Sequence, residues 1–107
     1  MFVRNVAIQL KPNTSTEFSK IFDAEVLPLL RKQTGFQNEI TYSGDNGFLN
    51  AVSIWDTKLS ADTYEKNSYP QVMKLVEKFV DGTPKIRSGE VLSSTLKTTP
   101  ATDHVTA

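Results

Sequence analysis

The sequence predicts an α+β fold in which strands and helices follow the order β-α-β-β-α-β. Segments of alternating apolar and polar residues predict the strands, and apolar residues at helical spacing predict the helices between them. Turn-forming residues separate these segments. The order is that of the ferredoxin-like split βαβ arrangement, with a four-stranded antiparallel sheet and both helices on one face. We expect one domain over residues 1–96 and a polar, Thr-rich tail over residues 97–107.

The first half of the chain supplies a strand and a long helix. Phe2 to Lys11 alternates with period two, which predicts the first strand. Thr14 and Glu17 match a capping box and predict a helix that begins there. Pro28 lies inside this helical run, and we expect it to kink or divide the helix because proline lacks a backbone donor.

A β-hairpin follows the first helix. Phe36 to Ser43 and Phe48 to Trp55 both alternate, and the turn residues Gly44 to Gly47 join them. The alternation predicts that Phe36 lies on the same face as Ile40.

The last third of the chain supplies a second helical region and a final strand. Ser60 to Lys66 is helical in pattern, and Ser68 begins a further helix. We expect Gly82 and Pro84 to end this helix and Lys85 to Leu96 to form the last strand.

One face of the predicted sheet carries no helix. The first and third strands are expected at its centre. The pattern suggests one central face with Val6, Ile8, Leu10, Phe48, Val52 and Ile54, and another with Asn5, Ala7, Gln9, Ala51, Ser53 and Trp55. Because both sets hold too much apolar surface to be fully solvated, the sequence predicts a homodimer that packs sheet on sheet.

Composition excludes several classes of site. The chain has no cysteine, and its single histidine, His104, lies in the predicted tail. These facts argue against a disulfide scaffold, a thiolate metal site and a Ser-His-Asp site in the domain. Twelve basic and twelve acidic residues balance, so no nucleic-acid or membrane partner is expected. We expect no metal and no cofactor, and a cytoplasmic location because the N-terminus lacks a secretory signal pattern.

Several residues carry a resemblance to a known family. They are Gly35-Phe36, Trp55-Asp56-Thr57, Tyr64 and the run Ser68 to Val72. With these residues the chain resembles the antibiotic biosynthesis monooxygenase-like family of dimeric α+β barrels, from about Val3 to Thr95. The resemblance implies a dimer whose two sheets form a barrel, with helices outside and, when present, a ligand cavity between sheet and helices. Members include cofactor-independent monooxygenases of anthrones, quinol oxygenases and haem-degrading enzymes, and many have no known role.

The haem-degrading branch of that family is matched at one position and not at two others. Asn5 stands where the branch has a catalytic asparagine. Tyr64 stands where it has a tryptophan, and Lys74 where it has the histidine that ligates iron. An ammonium group is no iron ligand, so the sequence argues against haem degradation.

Three polar residues are candidate catalytic groups. The amide of Asn5 and the phenols of Tyr64 and Tyr69 would be hydrogen-bond partners of a substrate. Each has a structural alternative, since Asn5 can bond to backbone or water and the tyrosines can be exposed or cap a helix.

Three further residues are candidates for substrate binding. Trp55 would stack on an aromatic ring or, alternatively, close the end of the core. Ser53 is small and, with Ala7 and Ala51, would leave room beside Asn5 for a planar ligand under the helices. Phe22 would line that space or, with other phenylalanines, fill it.

Two functions remain open at this point. The first is cofactor-independent oxygenation of a small aromatic substrate, quinol-like or anthrone-like, in a cavity between sheet and helices. The second is a non-catalytic dimeric module that binds a small ligand or has a structural or regulatory role.

Overall fold

A computed structural model describes residues 1–96 and confirms the predicted α+β fold. The strands are β1 (Phe2–Leu10), β2 (Phe36–Ser43), β3 (Phe48–Trp55) and β4 (Val80–Glu90). They form one antiparallel sheet in the order β2-β3-β1-β4, so β1 and β3 are central. The helices are α1 (Ser15–Ile21), α2 (Leu27–Arg31), α3 (Lys58–Asn67) and α4 (Tyr69–Val76), with a π turn at Phe22–Val26 and a 3₁₀ turn at Glu77–Phe79. The predicted tail lies outside the described residues, so the domain boundary stays a prediction.

The first helical segment divides before Pro28, as predicted. The π turn Phe22–Val26 joins α1 to α2, and the amide of Leu27 donates to the carbonyl of Phe22 across five residues. Proline has no amide to continue the α-helical ladder, and it lies in the first turn of α2, where that amide is not needed. The predicted capping box is wrong, because the hydroxyl of Thr14 donates to the carbonyl of Lys11 at 2.7 Å and caps no helical amide.

The hairpin forms as predicted, but a bulge changes the faces of β2. The pairing with β3 shifts between Phe36 and Asn38, which leaves Gln37 as an extra residue. Phe36 therefore packs towards the helices against Trp55, with ring centroids 5.6 Å apart, while Ile40 faces away from them. The prediction that Phe36 and Ile40 share a face is wrong because the extra residue reverses the alternation.

The last strand begins and ends earlier than predicted. It runs over Val80–Glu90 rather than Lys85 to Leu96, and Gly82 and Pro84 lie inside it. This strand pairs only with β1 at the sheet edge, where a residue without an amide is tolerated. The pairing with β1 also shifts its register close to Pro84.

The pairing of β1 with β3 corrects the predicted faces of the sheet. Arg4 lies opposite Ser53 and Asn5 lies opposite Val52, and residues directly opposite share a face. The helix-covered face therefore carries Phe2, Arg4, Val6 and Ile8 with Leu49, Ala51, Ser53 and Trp55, and the open face carries Val3, Asn5, Ala7 and Gln9 with Phe48, Asn50, Val52 and Ile54. The predicted combination is wrong because alternation fixes the sides within a strand but not the residue across from it.

The core lies between the helices and the covered face of the sheet. Phe18 and Phe22 stack at 5.6 Å between centroids, and Phe79 meets Phe18 edge-on at 6.2 Å. Trp55 is fully buried at the end of β3. Among residues 1–96, every helix is too short or too polar to cross a membrane.

Candidate functional site

A small cavity lies between the helices and the covered face of the sheet. Its volume is about 50 Å³, which corresponds to roughly three or four water-sized groups. Four large side chains of the first helical segment form its roof: Phe18, Phe22, Val26 and Leu30. Almost all of its wall is hydrocarbon, and the polar side chains that border it contribute little polar surface to it.

The polar groups of this cavity form a row across the sheet. Arg4 of β1 lies opposite Ser53 of β3, and Ser53 lies opposite Glu39 of β2. All three residues border the cavity. The antiparallel register thus brings a cation, a hydroxyl and a carboxyl group to the same level of the covered face.

Ser53 is fixed in this row by its neighbours. Its Oγ accepts a hydrogen bond from Nε1 of Trp55 at 2.8 Å and donates to the carbonyl of Arg4 at 3.4 Å. Trp55 has no exposed surface and does not border the cavity. Its ring packs instead against Phe36 and Tyr64, so the indole supports the cavity from behind.

Arg4 is a buried cation that sequence reasoning missed. Its residue is 3 % exposed, and its Nε donates to Oε1 of Glu65 at 3.2 Å. The guanidinium carbon lies 4.1 Å from the ring centroid of Tyr69 and 5.5 Å from that of Tyr64. Nη2 is buried and finds no hydrogen-bond partner within residues 1–96. The signal was present, since Arg4 interrupts the apolar positions Phe2 and Val6 on one face of β1.

Glu39 is the second group that sequence reasoning missed as a site residue. Burial raises the pKa of its carboxyl, with a smaller contribution from Asp23, while the hydrogen bond donated by Thr41 opposes the rise. A carboxylate with a raised pKa is a better proton acceptor than an exposed one. The β2 bulge at Gln37 is what turns Glu39 towards the helices.

Tyr64 and Tyr69 bring their phenols to the same cavity. Burial raises the pKa of Tyr64 to about 12, and nearby Arg4 opposes that rise. Burial likewise raises the pKa of Tyr69, and the charge and hydrogen bonding of Arg4 oppose that rise. Both phenols therefore stay protonated near neutral pH, where they can donate hydrogen bonds but cannot act as bases.

Asn5 lies on the other side of the sheet from this cavity. It faces the open side, with a buried Oδ1 that has no partner among the described residues. There it borders a separate polar hollow of about 230 Å³, together with Asn50, Lys85 and Arg87. Of the six predicted site residues, the cavity unites four: Phe22, Ser53, Tyr64 and Tyr69. The predicted placement of Asn5 beside Ser53 and under the helices is wrong, because neighbouring side chains on β1 point to opposite faces.

The comparisons with known proteins identify the fold. No family model matches the sequence, and no curated protein matches it. Among solved structures, a protein of unknown function from Nitrosomonas europaea superposes with a TM-score of 0.75 at 13% identity, covering 91% of this chain and 94% of that one. A candidate antibiotic biosynthesis monooxygenase from Bordetella bronchiseptica gives a TM-score of 0.70 at 15% identity, covering 86% and 98%. The chain has the fold of antibiotic biosynthesis monooxygenases. At these sequence identities the similarity establishes the fold alone.

A third similar structure shows a ligand that does not fit here. A single-site mutant of MhuD, with two manganese protoporphyrin IX molecules bound per active site, gives a TM-score of 0.74 at 15% identity, covering 89% of this chain and 98% of that one. A cavity of about 50 Å³ is too small for a porphyrin. Lys74, where the haem-degrading branch would place its iron-ligating histidine, is exposed. Within residues 1–96, no three His, Asp or Glu side chains are grouped so that they hold a metal ion.

Proposed function

We propose that the cavity beneath the helices binds a small phenol or quinol and that the protein oxygenates it without a cofactor. The observation that carries this proposal is the hydrocarbon-walled cavity in which a carboxyl of raised pKa, Glu39, stands with the protonated phenols Tyr64 and Tyr69. Phe22 contributes to the wall above the ring of the substrate. The fold shared with antibiotic biosynthesis monooxygenases supports the same function.

The chemistry needs one base and a polar environment for the anion that forms. Glu39 accepts the proton of a ring hydroxyl, and Tyr64 and Tyr69, which stay protonated, donate hydrogen bonds to the substrate. The electron-rich anion itself reduces O₂: one oxygen atom forms a bond to a ring carbon, the other leaves as water, and a quinol becomes a hydroxyquinone. All four electrons come from the substrate, so the atoms balance without an external reductant.

The volume of the cavity limits the size of the substrate. Roughly three or four water-sized groups fit at rest, so a six-membered ring enters only when a flexible wall residue moves. Met73 borders the cavity and has the freedom to do so. Phe18 and Phe22 also border an open groove of about 470 Å³, which gives a route from solvent. A tricyclic anthrone exceeds this space, which favours a single-ring substrate.

Oxygen uptake with single-ring quinols tests the proposal. We expect uptake in the presence of a metal chelator, and Glu39→Gln to lower kcat by about 100-fold or more because it removes the base. Glu25→Gln is the matched control, since Glu25 is an exposed carboxylate on the π turn. Unchanged turnover in Glu39→Gln on a confirmed substrate refutes the role of this carboxyl.

A non-catalytic ligand-binding role is the second candidate, because the same cavity can bind a ligand without any reaction. In that case a quinol or phenol binds and stabilises the fold, but no oxygen is consumed. Calorimetric binding without oxygen uptake across a panel of single-ring quinols would decide for this alternative.

We also propose that the protein is a homodimer through the open face of the sheet. Ile40 and Tyr42 are 57% and 50% exposed on this face, where Ile40 lies opposite Val52 and Tyr42 opposite Asn50. Exposed apolar groups of this size on one surface are typical of an interface. We expect Ile40→Glu to shift the protein from dimer to monomer in sedimentation equilibrium. Leu59→Glu, at an exposed position of α3, is the control and should leave the mass unchanged.

A further inference from the structure

We propose that the ligand of the cavity carries a carboxylate and that Arg4 binds it, so that the substrate class is a small hydroxylated aromatic acid. This inference rests on the proposed function, because it names the substrate of the same cavity. Arg4 is buried, but one of its nitrogen atoms has no hydrogen-bond acceptor within the described residues, and its ion-pair partner is half exposed.

The guanidinium of Arg4 is held by two neighbours, yet its Nη2 has no acceptor in the described part of the chain. Glu65 accepts from Nε, and the ring of Tyr69 covers one face of the group at 4.1 Å. Nη2 is buried without a partner among residues 1–96. A buried charged donor without an acceptor is unfavourable, so the site favours an occupant that supplies one.

Within the protein, Glu65 neutralises the charge of Arg4 only in part. Glu65 is the ion-pair partner of Arg4, yet its side chain is 50% exposed while that of Arg4 is 4% exposed. Water screens the carboxylate of Glu65 more than it screens the guanidinium. Some positive charge therefore remains at Arg4, which borders the cavity, and an anion is favoured beside it.

The geometry selects a planar anion. The N–H groups of a guanidinium point outward in its plane, so an acceptor for the buried Nη2 must approach along that edge. A carboxylate lies in the plane of that edge and accepts from it in the arrangement that arginine prefers.

The position of Glu39 indicates where the hydroxyl of the ligand lies. Arg4 and Glu39 lie on strands separated by β3, so their backbones are about 10 Å apart. Both residues border the same cavity, so we place a single ring with substituents at opposite ends between them. The carboxylate then lies at Arg4, the ring lies under Phe22, and the hydroxyl lies towards Glu39.

The test compares two ligands that differ in charge but hardly in shape. Binding of 4-hydroxybenzoate and 4-hydroxybenzamide is measured by calorimetry on the full chain. In the wild type we expect the acid to bind at least about tenfold more tightly than the amide, as befits a charge-assisted contact. In Arg4→Gln the ratio should fall to about one, and in Arg4→Lys, which keeps the charge without the planar fork, it should lie between these values.

Two controls keep the result interpretable. Arg87→Gln removes a cation from the open face and should leave the ratio at its wild-type value. The ratio is compared within each variant, so a loss of stability in Arg4→Gln affects both ligands alike. If Arg4→Gln fails to fold, the wild-type ratio and Arg4→Lys still decide.

The outcomes separate this inference from the function on which it rests. Equal binding of acid and amide by the wild type overturns the carboxylate, yet it leaves a phenol-binding cavity in place. Tight binding of the acid that persists in Arg4→Gln overturns the role of Arg4. If neither ligand nor any neutral phenol binds, the proposed function fails together with the inference.

Discussion

Removing the hydroxyl of Ser53 is the sharpest test of how the cavity floor is held. Ser53→Ala leaves Nε1 of Trp55, in a residue with no exposed surface, without its acceptor at 2.8 Å. A buried donor that loses its partner costs about 1–3 kcal/mol, so we expect the free energy of unfolding to fall by about 2 kcal/mol. In a Trp55→Phe background no indole donor remains, and the same change should cost about 0.5 kcal/mol. The coupling between the two positions is then about 1.5 kcal/mol.

The assay is urea unfolding followed by far-UV circular dichroism. Fluorescence does not serve for the cycle, because Trp55 is the only tryptophan of the chain. Ser88→Ala is the matched control, since Ser88 flanks Arg4 from β4 but is exposed, and its cost should stay within about 0.5 kcal/mol. Additive effects of Ser53→Ala and Trp55→Phe on the free energy of unfolding would refute the reasoning. They would mean that the hydrogen bond between the indole and the hydroxyl contributes nothing to stability.

Two further predictions concern the turn before β2 and the buried phenol. Gly35→Ala should destabilise the fold by more than about 2 kcal/mol in urea unfolding, because φ is +82° and the new Cβ would lie 2.6 Å from Cβ of Ser60. Gly47→Ala, also at φ +82° but with open space around it, should cost only about 1 kcal/mol, and equal costs would contradict the clash. Because the pKa of Tyr64 is raised from 10.0 to about 12, its contribution to stability is complete below pH 10 and is lost as pH rises towards 12. Tyr64→Phe should flatten the decline in unfolding free energy over that range, and an unchanged slope would exclude Tyr64 as its source.

The order of the elements was predictable because each is encoded locally. Strand alternation, helical spacing and turn residues lie within short windows of the chain, and the hairpin at Gly44 to Gly47 followed from its turn chemistry. The division of the helix was predictable from Pro28 in the same way, because its missing backbone N–H interrupts the helical hydrogen bonds whatever the distant residues are.

The cavity was less predictable because it depends on pairing between strands. The extra residue at Gln37 turns Glu39 towards the helices, and the register of β1 with β3 decides that Ser53 meets Arg4 rather than Asn5. Neither the bulge nor the register leaves a clear pattern within one strand. Arg4 was missed for a different reason, since arginines are mostly exposed and its burial depends on Glu65 and Tyr69 from the second helical region.

The π turn sets the shape of the cavity roof through the winding of the helix. In an α-helix of 3.6 residues per turn, side chains spaced four apart drift round the axis by about 40° at each step. In the wider π turn Phe22–Val26, each residue is rotated by a smaller angle about the helix axis. This offsets the drift, so side chains spaced by four stay on the same side of the helix. Phe18, Phe22, Val26 and Leu30 therefore all reach the cavity although they are spaced by four throughout. The length of the cavity is thus coupled to the hydrogen-bonding pattern of the backbone above it, and rewinding the π turn to α would swing Val26 and Leu30 sideways without changing a single side chain.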